Sequence, residues 1–334
     1  INRILYWINL VVTFLLVVSF ILPYIPPKSF PAISLLSLVV FPLLILNFLF
    51  VVYWLLKLKR KIVISLIALI IAHFHFGSLF QYSSENTKTN SNNSIKVLSY
   101  NVHLFNAYVK NNSPKKVSET LAKIVNTQQP DIICIQEYFK KNEADFSAYP
   151  HQYVYFKGNG KIGQAVFSKY PILNKGFFDF KNSNNSALFV DVLKEKDTLR
   201  VYNIHLQSLS IKPSISSLQE EDKQKFIIRT SSSFKKQQQQ AELILDHKKT
   251  SSYPVLLCGD FNNTPFSYIY HELSSNLKDA FVEKGNGLGT TYLFDSFPMR
   301  IDYILVSEDL NVVSFENIKT TFSDHYPVST TVEW

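Results

Sequence analysis

Three long apolar runs fill the first eighty positions of the chain: Ile4 to Leu22, Ala32 to Leu56 and Ile62 to Phe80. Each has about the 20 residues that a helix needs to cross the hydrocarbon core of a bilayer. None carries the polar stripe that keeps one face of a soluble protein's helix in water, so the pattern predicts three transmembrane helices. Further runs behind the first argue against a cleaved signal peptide. The pattern then changes: Ser83 to Ser94 is rich in Ser, Asn and Thr, lacks apolar periodicity, and reads as a flexible tether. From Ile95 onward, apolar runs of strand length recur between turn signals, with helical stretches at about Val117 to Thr127 and Phe234 to His247. The expected organisation is a membrane anchor over 1–81, a tether over 82–94 and a folded domain over 95–334. Gln237 to Gln240, inside the second helical stretch, read as a solvated helix face.

Composition changes this picture little. With 334 residues, 46% of them hydrophobic, there is room for one large core and an appendage. The net charge of +8 suits an anionic substrate or a membrane surface without demanding either. Cys134 and Cys258 each sit inside an apolar run, as small buried thiols do more often than disulfides or metal ligands. The basic turn Lys57-Leu58-Lys59-Arg60-Lys61 between the second and third runs belongs in the cytoplasm by the positive-inside rule, although Lys28 in the preceding loop pulls weakly the other way. That topology makes a multi-pass integral membrane protein with its folded domain extracytoplasmic. His73 and His75, two residues apart on a helix, face nearly opposite ways and read as interfacial side chains rather than a ligand pair. No Asp, Glu, Lys or Arg falls within the runs, so nothing supports a channel or sensor.

Candidate chemistry lies where the later apolar runs end. Tyr253 to Cys258 leads into Gly259-Asp260-Phe261-Asn262, so a buried strand delivers a carboxylate and a carboxamide to its own exposed end. Two-residue spacing would point Asp260 and Asn262 to one side of a strand, while an Asx turn through Asn263 and Pro265 is the plainer alternative. Similar groups stand at other run ends: Asn101 after Ile95 to Tyr100, Glu137 after Asp131 to Gln136, and His205 after Leu199 to Ile204. Asp302 lies in Arg300 to Val306, and Asp324 with His325 in Thr321 to Val328. Each alone has a structural explanation. Together they supply the oxygen donors a hard divalent cation needs and two imidazoles beside carboxylates for proton transfer.

This set resembles the endonuclease/exonuclease/phosphatase family, whose members include DNase I, abasic-site endonucleases and neutral sphingomyelinases. The resemblance covers about 95–334 and rests on Gly259-Asp260-Phe261-Asn262 and Ser323-Asp324-His325, with Arg300-Ile301-Asp302-Tyr303 between them in the family's order, and less specifically on Gln136-Glu137. It implies an α+β fold, a DNase I-like four-layer α/β/β/α sandwich with the site at one rim, here preceded by three transmembrane helices. It further implies Glu137 as the principal Mg2+ (or Mn2+) ligand, with Asn101 and Asp324 near metal and phosphate. Asp260 would orient or deprotonate the attacking water, and Asn262 would hold that water or the developing phosphorane. His325, steadied by Asp302, and His205 would contact the phosphate, with the identity of the acid left open. His103 stands where abasic-site endonucleases carry an acidic residue, and His205 where they lack a histidine, so sphingomyelinase-like or DNase I-like chemistry fits better. The expectation is a membrane-anchored, Mg2+-dependent phosphoesterase acting on phosphodiester bonds. Nucleic acid and phospholipid head groups compete as substrates, the lipid bilayer is the only other partner implied, and no obligate protein partner is evident. A binding module that keeps the fold without catalysis is the rival reading. Tyr138-Phe139 and Phe177-Phe178 are aromatic candidates for reaching a head group or for core packing.

Overall fold

The computed structural model describes residues 2–77, 79–83 and 93–334; most of the tether expected at 82–94 lies outside the described residues. The chain forms two compact units. One comprises Ile1–Leu79, Asp222–Gln238 and Asn263–Glu272; the other comprises Phe80–Glu221, Gln239–Asn262 and Leu273–Trp334.

In the first unit the apolar runs become α1 (Asn2–Ser19), α2 (Val40–Leu56) and α3 (Ile62–Phe76). Two helical stretches, Asn2–Tyr24 and Pro31–Leu56, are long and apolar enough to cross a membrane. The third does not reach that length, which corrects the expectation of three spans. It stops at Gly77, whose φ of 70° ends the helix after 15 residues, and 15 residues rise only about 22 Å. Between the helices, Asn9 and Ser65 exchange hydrogen bonds of 2.9 and 2.8 Å, and Thr13 donates to Asn47 Oδ1 at 2.7 Å. Large apolar side chains face outward instead, Trp7 at 61%, Phe14 at 63% and Phe48 at 57% exposure. Phe266, from the segment 263–272, packs among Leu16, Leu22, Val40 and Ala72.

The second unit is built on strands whose order follows the alternating apolar pattern. In chain order they are β1 (Ser94–Asn101), β2 (Ile132–Phe139), β3 (His151–Phe156), β4 (Ile162–Ser168), β5 (Ile172–Asp179), β6 (Ser186–Lys194), β7 (Asp197–His205), β8 (Val255–Asp260), β9 (Leu277–Asp279), β10 (Tyr292–Phe294), β11 (Phe297–Met299), β12 (Asp302–Ser307), β13 (Asn311–Asn317) and β14 (Val328–Glu333). They make two mixed six-stranded sheets, β13-β14-β1-β2-β4-β3 and β5-β6-β7-β8-β12-β9, plus the β10-β11 hairpin. Alternate residues of both sheets, among them Val97, Cys134, Val190, Val201, Leu256 and Ile304, meet in one buried cluster, as the two-residue side-chain period of a strand requires. Both cysteines are free and buried there.

Helix α4 (Pro114–Gln128) covers the outer face of the first sheet. Ser113 caps it by accepting from Lys116 N, and Val117, Leu121 and Ile124 form its apolar face. After α5 (Ile215–Glu220), the long α6 (Lys223–Lys248) brings His247 against Phe189, 4.4 Å between rings, on the outer face of the second sheet. The helices α7 (Tyr268–Ser274) and α8 (Ala280–Lys284) are short. This mixed α+β sandwich of two sheets agrees with the expected architecture. A polar clasp crosses it: Asn203 donates to the Ile135 and Ala165 carbonyls at 2.9 and 3.0 Å and accepts from Gln136 Nε2 at 2.7 Å.

Of the four glutamines expected on a solvated face, Gln239 is exposed and the other three are not. Gln237, Gln238 and Gln240 are buried at 0, 4 and 3% exposure, and each presents its side-chain oxygen to a donor outside the helix: Asn263 Nδ2, Lys28 N and Gln207 N in turn. Uncharged amides at closely spaced buried positions can accept from non-helical chain without the cost of desolvating a charge.

Candidate active site

Strand pairing sets the first residues of the site in a row. His205 at the end of β7 is in parallel register with Asp260 at the end of β8, and Asp260 is in antiparallel register with Asp302 at the start of β12. Gly259 makes the close packing here: it sits at φ 134°, and a Cβ would fall 2.0 Å from the Ile204 carbonyl oxygen. From the other sheet, Asn101 at the end of β1 donates to Asp260 Oδ2 at 3.0 Å.

Local irregularities aim the remaining groups. Pairing of β2 with β4 shifts register between Ile135 and Tyr138, and Glu137 inside that bulge adopts φ 53°. A bulge re-aims side chains at a sheet rim, which is why Glu137 reaches the cluster while its neighbour Gln136 turns into the core. Asn262 also has φ 52°. Its amide donates to Asp260 Oδ1 at 2.7 Å, and its side chain to Asp260 Oδ2 at 3.2 Å and the Leu206 carbonyl at 3.1 Å. Asp260 and Asn262 therefore meet through an Asx turn that the Asp260 side chain itself makes, which corrects both the shared strand side and the turn expected through Asn263 and Pro265. Ser323 Oγ ties the last loop to the Asn101 carbonyl at 2.8 Å and accepts from His325 N at 3.1 Å.

All eight residues singled out in the sequence reach this rim. His325 Nδ1 lies 2.9 Å from Asp302 Oδ2, and its Nε2 is 3.8 Å from Asp260 Oδ2. His205 Nε2 stands 3.6 Å from Asp260 Oδ2 and 3.9 Å from Glu137 Oε1. Asp324, more exposed, is 3.7 Å from His103 Nδ1.

Burial and like charge set the electrostatics. Burial pushes the Asp260 carboxyl up, with repulsion from Asp302 adding to it, to about 7. Burial works against charge on His325, but Asp302 and Asp260 outweigh it and lift the imidazole to about 10. His205, buried and repelled by His325, falls to about 3 and is neutral. Burial raises Glu137 as well, against the attraction of His325 and His103, while the Asp324 charge adds to the rise.

Two further residues carry no mark at a strand end. Thr291, fully buried, accepts from Ile301 N and Asp302 N at 3.0 and 3.1 Å and so fixes the start of β12. Tyr292 bridges to His325 through the backbone and sets its ring 5.0 Å from the imidazole. A Thr-Thr-Tyr sequence has no pattern that distinguishes it from ordinary loop. The aromatic candidates resolve toward packing: Tyr138 lies against Phe105 and Phe167, Phe178 against His247, and the half-exposed Phe177 stacks on Tyr155 at 4.0 Å.

The Endonuclease/Exonuclease/phosphatase family matches residues 98–325, which include every residue of this cluster. The chain belongs to that family. Residues 2–79 match a second description, Domain of unknown function (DUF8431). Among solved structures, an endonuclease/exonuclease/phosphatase family protein from Leptotrichia buccalis is 21% identical, with a TM-score of 0.51 over 72% of this chain and 100% of that one. The endonuclease/exonuclease/phosphatase from Bacteroides vulgatus is 17% identical, with a TM-score of 0.56 over 74% of this chain and 99% of its own. TDP2 of D. rerio, solved in complex with a single-strand DNA product, is 14% identical, with a TM-score of 0.54 over 72% and 99%. At these identities the likeness carries the fold. No curated protein matches the sequence.

Members of the endonuclease/exonuclease/phosphatase family are typically phosphoesterase hydrolases and generally use a divalent metal. The donor set here suits one. Within 4.0 Å, the described ion-pair partners of Glu137, Asp260, Asp302 and Asp324 are imidazoles, which leaves this concentration of carboxylate charge undercompensated. Asp260, Asp302 and His325 each offer a ligand atom, all within 4.8 Å of one another. Those three are buried; His325 is hydrogen-bonded to Asp302, and Asp260 accepts from Asn101 and Asn262. Glu137 and Asp324, with side chains 26 and 40% exposed, present more open oxygens.

Proposed function

We propose that the chain is a metal-dependent phosphodiesterase held at a membrane by its helical unit. The observation that carries this reading is the convergence on Asp260: one carboxylate, raised toward neutrality, receives Asn101 and Asn262 and faces two histidines of opposite character. Asp260 takes the proton of the attacking water, since a base near 7 combines availability with proton affinity at neutral pH. Asn262, fixed to Asp260 by its own amide, holds that water or an oxygen of the phosphorane. His325, protonated through the neutral range and steadied by Asp302, places its Nε2–H toward a non-bridging oxygen or the departing alkoxide. Neutral His205 contributes a hydrogen bond rather than a charge. Glu137, Asn101 and Asp324 would hold Mg2+ or Mn2+, which supplies Lewis-acid stabilisation of the phosphate oxygens when bound. Placing the ion there leaves the Asp302–His325–Asp260 chain intact.

Membrane attachment is supported by the inverted polarity of the helical unit, with amides and hydroxyls inside and large apolar side chains outside, the arrangement lipid favours. On this reading 1–81 anchors, 82–94 tethers and 95–334 catalyses, with 222–238 and 263–272 folded into the helical unit. The basic turn Lys57–Lys61 lies in the cytoplasm, and the catalytic rim is extracytoplasmic if the chain after that turn crosses once more, which the 15-residue α3 does not do as a full-length span. A cysteine at Asn93 should react with an impermeant maleimide in whole cells; labelling only after lysis would mean that α3 does not cross.

Two substrate classes remain in competition. The DNA product bound to the D. rerio relative favours nucleic acid, whereas residence at a bilayer favours a phospholipid head group. The full chain in proteoliposomes should be given plasmid DNA, RNA, sphingomyelin and a phosphomonoester at two salt concentrations. Steeply salt-inhibited DNA cleavage would exclude the lipid reading, head-group release with intact nucleic acid would exclude the nuclease, and no hydrolysis of any of them would leave a catalytically silent fold.

A further inference from the structure

Helix α6 presents buried glutamines to the residue that follows Asn262 and to the segment that receives the Asn262 side chain. In the helical unit, Gln237 accepts from Asn263, the residue directly after Asn262. In the sandwich, Gln240, three residues on and therefore on the same helix face, accepts from Gln207 N at 2.7 Å. Gln207 follows Leu206, whose carbonyl receives the Asn262 side chain at 3.1 Å and whose amide donates to the Asp260 carbonyl at 3.0 Å. Thus the segment leaving Asn262 and the segment that Asn262 leans on each meet one glutamine of α6. The outgoing segment is held further within the helical unit: Thr264 Oγ1 donates to the Ser37 carbonyl at 2.9 Å, and Phe266 packs edge-on to Phe76 with ring centres 4.9 Å apart.

We infer that Gln237 and Gln240 are positioning residues that set Asn262, Gln237 through the next residue in the chain and Gln240 through the segment that receives the Asn262 side chain. Asn262 needs such support. Its left-handed φ is sparsely populated by residues other than glycine, and such conformations persist only where the surroundings over-determine them. Gln238 gives an internal control: it is equally buried on the same helix, but its side-chain oxygen accepts from Lys28 N at 2.8 Å, on a segment far in sequence from Asn262.

The inference rests on reading Asn262 as a site residue, and the test separates the two. Gln237→Met, Gln238→Met and Gln240→Met each remove an acceptor at nearly constant volume in the full chain, solubilised in detergent micelles. Exchange of the Asn262 amide with deuterium, resolved at single residues by mass spectrometry, reads the turn without any turnover. Turnover is read on bis-p-nitrophenyl phosphate. Gln237→Met and Gln240→Met should speed Asn262 exchange and lower kcat about tenfold with KM held within twofold, since small displacements of a reacting group cost rate rather than affinity. Gln237→Glu, which keeps an acceptor oxygen, should restore both. Gln238→Met should lower thermal stability alone. Unchanged Asn262 exchange in Gln237→Met and Gln240→Met, or equal effects in all three methionine variants, would overturn the inference. If the wild type hydrolyses nothing, the functional reading falls, and the exchange experiment still decides whether the glutamines hold the turn.

Discussion

The helical unit buries Asn9, Thr13, Asn47 and Ser65 and turns Trp7, Phe14 and Phe48 outward, whereas the sandwich buries Val97, Val190, Leu256 and Ile304 and sends its polar groups to the strand ends. Each arrangement suits a different solvent. In water, a chain gains by hiding aliphatic surface; in hydrocarbon that gain vanishes, and hydrogen bonds between helices with close packing provide cohesion. On the membrane reading proposed above, the two units suit two surroundings, and buried amides do different work in each. In the helices they join helix to helix. In the sandwich Asn203 and Gln136 clasp the sheets, while the carboxylates gather at a rim where they are held close enough to perturb one another.

The largest effect should come from the rim. Asp260→Asn keeps the shape and removes the base, so turnover should fall by about 10³-fold, within the range that general bases supply. Asp302→Asn should cost about 10²-fold by unsettling His325. Phosphodiester hydrolysis measured at saturating substrate checks both, and turnover within twofold of wild type would make the cluster structural.

The same substitution placed in each region should sharpen the contrast. Asn203→Leu leaves Gln136 with Ser99 alone and takes a donor from two carbonyls in the core between the sheets, at a cost of about 3 kcal/mol. Asn47→Leu removes an acceptor from Thr13, which keeps Ser65, and a donor from the Leu43 carbonyl, and exposes nothing to water, so it should cost about 1 kcal/mol in detergent. Urea unfolding of the sandwich and thermal unfolding followed by Trp54 fluorescence provide the two numbers. A larger loss at Asn47 than at Asn203 would contradict the assignment of lipid to one unit and water to the other.

A smaller effect concerns His205. Its folded pKa of about 3 lies below the ordinary 6.5, so the stability contributed by keeping it neutral is fully present above 6.5. That contribution is lost as the pH falls from 6.5 toward 3, because the unfolded chain takes up a proton that the folded one refuses. The slope is about 1.4 kcal/mol per pH unit. In EDTA, His205→Gln should flatten the stability profile by that amount over this window; parallel profiles would mean that His205 titrates normally when folded.

Much of this was legible in the sequence because strand and run-end signals are local. Apolar runs of strand length mark where β1, β2, β7, β8 and β12 lie, and the polar residue at one end of each, the first in β12, marks the rim. What the pattern could not show depends on distant chain. The bulge that turns Glu137 away from Gln136 arises only when β2 pairs with β4. The left-handed Asn262 and the Asp302 amide held by Thr291 likewise need the assembled rim. Gln237, Gln238 and Gln240 look like surface because their donors, Asn263, Lys28 and Gln207, come from remote segments. The third apolar run is long enough on paper, yet Gly77 ends α3 early.

Metal dependence tests the central claim most directly. The full chain, stripped with EDTA and titrated with Mg2+ or Mn2+, should recover hydrolysis of bis-p-nitrophenyl phosphate with saturation. Glu137→Gln, which keeps the size and hydrogen-bonding capacity of the side chain but not its charge, should need far more metal and reach a small fraction of the rate. Full activity in EDTA, or a Glu137→Gln variant indistinguishable from wild type across the titration, would contradict the account.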